Sequence, residues 1–134
     1  MNRVSIIIPV YNAESTILST LKSLNQQNNL INELIIINDG STDHSLVIID
    51  KYLKNHFSKI KKIIVNHPKS LGLSLSYNDG IKQATSDLVI TLHSDIVLKK
   101  NAISLLTAPF NQKNIVATYH QVIHPIPVLK KYNF

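Results

Sequence analysis

Unbroken apolar runs alternate along this chain with stretches whose apolar residues recur every three or four positions. The first run, over 4–10, is rich in β-branched residues and carries Pro9 near its end, where a strand tolerates proline. The second, over 33–38, holds Ile35, Ile36 and Ile37 in a row and predicts a strand buried on both faces. Further strands are predicted over 60–65, 88–92 and 115–119. Between them, Ile17, Leu18, Leu21 and Leu24 predict a helix over 13–27, with Asn12 as its N-cap and Glu14 complementing its dipole. Leu46, Ile49, Leu53 and Phe57 predict a second helix over 43–57, and Leu73, Tyr77, Ile81 and Ala84 a third over 71–84. Asp79-Gly80 inside the third is also a hairpin signal, but no alternating strands flank it. A short helix is expected over 101–107. The polar stretch 25–29 is a connector, and Pro68 makes 66–70 a loop.

The order βαβαβαβ with short links predicts an α/β fold: a Rossmann-like, mostly parallel sheet with helices on both faces and right-handed crossovers. Such a sheet gathers its ligands outside the carboxyl ends of its strands. Asp39 and Asp95 both fall just past such ends. Gly40 follows as a turn, and Ser41-Thr42-Asp43 favours a helix start. Turn chemistry alone explains Asp39-Gly40 as well as a ligand site does. His93 and Asp95 lie two apart, and a strand's period of two points both to one side. A hard divalent cation takes oxygen ligands and fills its other positions with water or substrate phosphates. Asp95 suits that role. His93 is either a second ligand or a packing histidine.

With 134 residues and 44% hydrophobic content the chain has enough apolar material for one core. Fourteen Lys and Arg against eight Asp and Glu give a formal charge of +6. The surplus sits in or beside loops, as at Lys59, Lys99, Lys100 and Lys130, without interleaved aromatics. A solvated basic surface therefore fits better than a nucleic-acid footprint. No cysteine is present, which excludes disulfides, thiolate catalysis and Cys-based zinc sites and fits a cytoplasmic setting. No apolar stretch reaches membrane-spanning length, so any membrane association is expected to be peripheral. The only glycines are Gly40, Gly72 and Gly80, so neither a P-loop nor G-x-G-x-x-G can be written.

Three ordered stretches carry a specific resemblance: Val4 to Asn12, Glu33 to Asp43, and Leu71-Gly72-Leu73-Ser74. Together they resemble family 2 glycosyltransferases of the GT-A fold, which are inverting, metal-dependent enzymes with nucleotide-sugar donors. The resemblance runs from Val4 to about Asn101. It implies that Pro9, Val10 and Tyr11 line the nucleobase pocket, with Tyr11 stacking on the ring, and that Asp39 accepts the ring N–H of uracil or a similar base. It places Glu14, Gly72 and Asn78 near the donor; a helix-start acid, close packing and a surface polar residue explain these three equally well. His93-Ser94-Asp95 occupies the position of the family's Asp-x-Asp motif, with His93 in place of the first acid. Asp95 is then the expected ligand of a manganese or magnesium ion.

Inverting transfer also needs a base for the acceptor hydroxyl. The family's acid lies well after Asp-x-Asp, yet no Asp or Glu follows Asp95. The candidate bases His120 and His124 do not match the motif. The expectation is a donor-binding domain over 1–119, with 120–134 an extended tail opening onto a missing acceptor-binding region. Its donor is a nucleotide-diphospho-sugar, UDP-linked by preference, and its acceptor a glycan or lipid-linked hydroxyl. Two rivals remain: a non-catalytic nucleotide-sugar-binding module or pseudoenzyme, and a Rossmann-like interaction domain that docks partners through its basic surface.

Overall fold

The computed structural model describes residues 4–112 together with 115, 117 and 118. Strands β1 (Val4–Val10), β2 (Ile31–Asn38), β3 (Lys61–Asn66) and β4 (Leu88–Thr91) form one sheet in the order β3-β2-β1-β4, with every pairing parallel. Helices α1 (Ile17–Asn25), α2 (Ser45–Asn55), α3 (Leu73–Gln83) and α4 (Ala102–Thr107) provide the connections and covers, with 3₁₀ turns at Asn28–Leu30 and Ala108–Asn111. The α/β architecture expected from the alternating runs is the one observed.

The isoleucine-rich strands explain why the sheet is layered. Successive side chains of a strand point to opposite faces. Ile6, Ile8, Val10, Leu34 and Ile36 therefore join Ile17, Leu21 and Leu24 of α1 and Ile49 and Leu53 of α2 in the larger core. Ile7, Ile35 and Ile37 form a smaller core on the other face, against Tyr77 and Ala84 at the level of α3. α3 lies close: a Cβ on Gly80 would run into Ile7 Cγ2, so glycine is what lets the helix approach β1. Asp79-Gly80 is thus inside a helix, not a hairpin.

One polar lock sits near the amino ends of the strands. Glu33 is buried and accepts hydrogen bonds from Ser5 Oγ (3.1 Å), the Thr85 amide (2.8 Å) and Thr85 Oγ1 (2.6 Å). These fix the link from α3 to β4. Burial pushes the Glu33 carboxyl up, but the bonds from Thr85, then Ser5, and the charge of Lys61 outweigh it and leave the group below its ordinary range.

Three expectations change. The first helix begins at Ile17, not residue 13, and Asn12 is not its N-cap: Asn12 stands at φ 47 and its Oδ1 accepts the Thr42 amide at 2.9 Å. The second helix is shorter at both ends, and Phe57 lies just beyond it at φ 56. Of the predicted fifth strand, Ile115, Ala117 and Thr118 are described and none is in a strand. Residues 116 and 119–134, including His120, His124 and the expected tail, lie outside the described residues.

Candidate functional site

Because all four strands are parallel, their carboxyl ends share one edge of the sheet. The chain builds outward from β1 to β2 and β3, then returns to the other side of β1 as β4. The switch point of the fold is therefore between β1 and β4, where open α/β sheets form their ligand crevice. Across the sheet, β2 and β4 are separated by two strand spacings, ~10 Å, with β1 between them; β2 runs on to the level of Val10, whereas β4 stops at the level of Ile7.

The turns after β1 and β2 are stitched together. The Asn12 amide donates to Ser41 Oγ (3.1 Å), the Ala13 amide to Ser45 Oγ (2.8 Å) and the Glu14 amide to Asp43 Oδ2 (3.0 Å). In return, the Thr42 amide donates to Asn12 and the His44 amide to Glu14 Oε2 (2.9 Å). Glu14, expected to complement the dipole of its own helix, instead serves the amino end of α2. Residues 12–14 are thereby tied to the turn after β2, and α1 follows a turn in which the Ala13 carbonyl accepts the Thr16 and Ile17 amides at 3.0 and 2.9 Å.

Asp39 is the most constrained group at the edge. Its residue is 4% exposed, and four donors hold its carboxylate. Oδ1 lies 2.7 Å from His67 Nδ1 and accepts the Leu71 amide at 2.8 Å. Oδ2 accepts Ser70 Oγ at 2.7 Å and the Gly72 amide at 3.0 Å. All four belong to the segment leaving β3. Burial alone pushes the Asp39 carboxyl up, but the bond from His67 first, then those from Leu71, Ser70 and Gly72, hold it far below the usual carboxylate range.

His67 is buried, and its Nε2 faces Asp79 Oδ2 at 3.2 Å. Asp79 also accepts Lys82 Nζ at 2.9 Å; that bond chiefly holds its carboxyl below the ordinary range, against the opposing effect of burial. Gly40 closes the arrangement from below. It stands at φ +73, and a Cβ there would lie 2.5 Å from the Lys69 carbonyl carbon.

At the end of β1, Pro9 is buried and the Val10 side chain sits in the core. The Val10 carbonyl accepts the Asp39 amide at 2.8 Å and Ser41 Oγ at 3.3 Å. Tyr11 is 56% exposed at the edge. After β4, the His93-Ser94-Asp95 stretch is a turn, closed by the Ile96 amide on the His93 carbonyl at 3.3 Å. β4 itself ends at Thr91, so a strand's period of two does not govern where His93 and Asp95 point. Thr20 of α1 anchors the turn through the Ser94 carbonyl (2.9 Å). His93 and Asp95 are both exposed, and the Tyr77 ring meets His93 edge-on with centroids 6.1 Å apart. Burial, reinforced by the Asp95 charge, pushes the Tyr77 phenol up. Asn78 is exposed on α3.

The structure thus gathers Asp39 and Gly72 into one hydrogen-bonded unit, leaves Tyr11 just past the end of the neighbouring β1, and puts Ser94 and Asp95 across the switch point. His67, Ser70 and Tyr77 are edge residues that the sequence reasoning passed over. The strand-end rule, applied to β3 as it was to β2 and β4, would have pointed to His67.

For a cation, Asp95 has no hydrogen-bond or ion-pair partner among the described residues, and His93 beside it adds a borderline nitrogen donor. No group of three or more ligating side chains occurs among the described residues. That donor set fits an ion that draws most of its shell from water and phosphate oxygens. Among the described residues no helix is long and apolar enough to cross a membrane.

The sequence profile described as Glycosyl transferase family 2 matches residues 5–133. Poly-beta-1,6-N-acetyl-D-glucosamine synthase of Staphylococcus epidermidis is 37% identical over 99 residues, which is 74% of this chain and 23% of that protein. TarS of S. aureus, solved in complex with UDP-GlcNAc, superposes with a TM-score of 0.71 at 27% identity, over 81% of this chain and 31% of that one. Glucosyl-3-phosphoglycerate synthase from Mycobacterium tuberculosis, solved with Mn2+ and UDP, has a TM-score of 0.67 at 22% identity. It covers 81% of this chain and 39% of its own, and at that identity shows a shared fold. The chain therefore spans about a quarter of the curated relative and about a third of the solved ones.

Proposed function

The chain belongs to glycosyl transferase family 2, and from that premise we propose that it is the donor-binding part of an enzyme that moves a sugar from a nucleoside diphosphate to a hydroxyl. The observation that carries this is the pairing of an exposed tyrosine and a buried aspartate held by four donors on one side of the switch point with an aspartate that has no partner among the described residues on the other. A nucleoside diphosphate has a matching polarity: an aromatic base with a ring N–H at one end and a dianionic diphosphate at the other.

In this proposal Tyr11 stacks on the base and Asp39 accepts its ring N–H, with Pro9 and Val10 as the rigid floor. Asp95, with His93 beside it, holds a manganese or magnesium ion; Ser94, Gly72 and Asn78 lie along the donor. The cation supplies Lewis-acid neutralisation of charge on the departing diphosphate. Residues 1–119 make up this domain. UDP-sugars are the favoured donors, consistent with the UDP-GlcNAc bound by TarS. The acceptor is a glycan or lipid-linked hydroxyl met at or near a membrane surface, and inversion follows from single displacement. No residue of this chain is assigned as the base, because no Asp or Glu follows Asp95.

A second proposal, a nucleotide-sugar-binding module without turnover, draws support from His93 standing where the family has an acid. Calorimetric titration with UDP and GDP, with and without manganese, tests the site. Manganese-dependent UDP binding is expected, with a loss of tenfold or more in Asp95→Ala, the scale set by one carboxylate–metal contact. No binding of either nucleotide under any condition refutes the donor site, and hydrolysis of a UDP-sugar by this chain counts against the module.

A further inference from the structure

A carboxylate offers about four acceptor directions, and in Asp39 four donors occupy them. A base N–H can reach this group only by taking the place of a donor already there. The four are not equivalent. His67 is buried and gripped on its far side by Asp79, so its ring cannot swing away. The Leu71 and Gly72 amides are backbone groups at the threshold of α3, and the chain just before them rests on Gly40 at contacts that leave no room for a Cβ. Only Ser70 donates through a freely rotating hydroxyl. Its residue is exposed, so among the side-chain donors it is the one on the solvent side of a buried carboxylate.

We propose that Ser70 is the specificity-determining gate of the base pocket: its hydroxyl occupies Asp39 Oδ2 in the free protein and yields that place to a ring N–H flanked by carbonyls. His67 and Asp79 then act as positioning residues that keep Asp39 aimed while Ser70 departs. A base without such an N–H leaves Ser70 bonded and gains nothing from Asp39. The device selects by exchange: the incoming donor must equal a charge-assisted hydroxyl bond before binding profits. The proposal rests on the reading of Asp39 as the base-recognising residue.

The test is calorimetry on the 134-residue chain with two probes, UDP and its N3-methyl analogue, whose base lacks the ring N–H. In Ser70→Ala the vacated acceptor is buried and undersatisfied, so UDP should bind about tenfold tighter than to the unsubstituted chain. The N3-methyl analogue should show no gain, and Ser70→Thr should restore the original affinity. Ser70→Gly serves in the same role if alanine disturbs the loop. UDP binding that is unchanged or weaker in the alanine and glycine variants overturns the gate while leaving the donor site intact. An equal gain for both probes overturns it too, because a general loosening of the loop would do the same. Failure of the unsubstituted chain to bind UDP at all removes the donor site and the gate with it.

Discussion

Replacing Gly40 by alanine should cost more than the same change at Gly72, although both glycines have positive φ. At Gly72, φ is +93 and ψ 161, a region essentially reserved for glycine, and an added Cβ meets nothing within 4 Å, so the cost is purely conformational, about 1–3 kcal/mol. At Gly40, φ is +73, and the Cβ would lie 2.5 Å from the Lys69 carbonyl carbon, 2.6 Å from the Ser70 nitrogen and 2.7 Å from Lys69 Cα. These are backbone atoms, so no rotamer change relieves them; the loop must lift by most of an ångström to regain the 3.4 Å of ordinary contact. Overpacking of this kind adds about 1–3 kcal/mol, and the lift also lengthens the Ser70, Leu71 and Gly72 bonds to Asp39. The total for Gly40→Ala is about 2–5 kcal/mol, a large part of the stability of a domain this size. Urea unfolding of both variants, compared at equal m-values, measures the difference directly. If the two costs agree within ~0.5 kcal/mol, the 67–72 segment yields freely and the clamp on Asp39 is not rigid.

Two further outcomes follow from the buried acids. Asp39 and Glu33 are both depressed in the folded state, from ordinary values of 3.8 and 4.5. Their contribution to stability is present above those values and fades as pH falls through the folded ones, so the urea midpoint should stay level down to pH ~5 and decline below it. A midpoint that rises on acidification contradicts this. Glu33→Ala should destabilise by about 2–4 kcal/mol, since Ser5 and Thr85 lose a buried ionised acceptor. Amide exchange at Thr85 and Ser86 should quicken while UDP affinity stays constant, because Glu33 lies near the opposite edge of the sheet. Unchanged exchange at those two amides would mean that Glu33 does not hold the link.

The sequence by itself determined the layers. Runs such as Ile35-Ile36-Ile37 have no polar face to give to water, so they belong at the centre of a sheet covered on both sides, and β2 is there. The helices showed in the spacing of Leu21 and Leu24 or of Ile49 and Leu53, because a 3.6-residue period is a local property of the chain. Strand ends were legible for the same reason, and they located Asp39 and Asp95 on what proved to be one edge.

Only the tertiary structure decided what those residues touch. The groups around Asp39 lie 28 to 33 positions away, brought near because β3 pairs with β2 in parallel register. No periodicity records that separation. Asn12 and Glu14 looked like the opening of their own helix because local signals assign a capping side chain to its nearest backbone. In the fold, the turn after β2 is closer and offers better-placed partners, so both serve that turn instead. Likewise the His93-Asp95 spacing suggested a strand face, but the chain turns after Thr91, where Thr20 holds the Ser94 carbonyl. Periodicity is set by bonds between neighbours in sequence, and it wrote the scaffold. Hydrogen-bond partnership is set by neighbours in space, and it wrote the site.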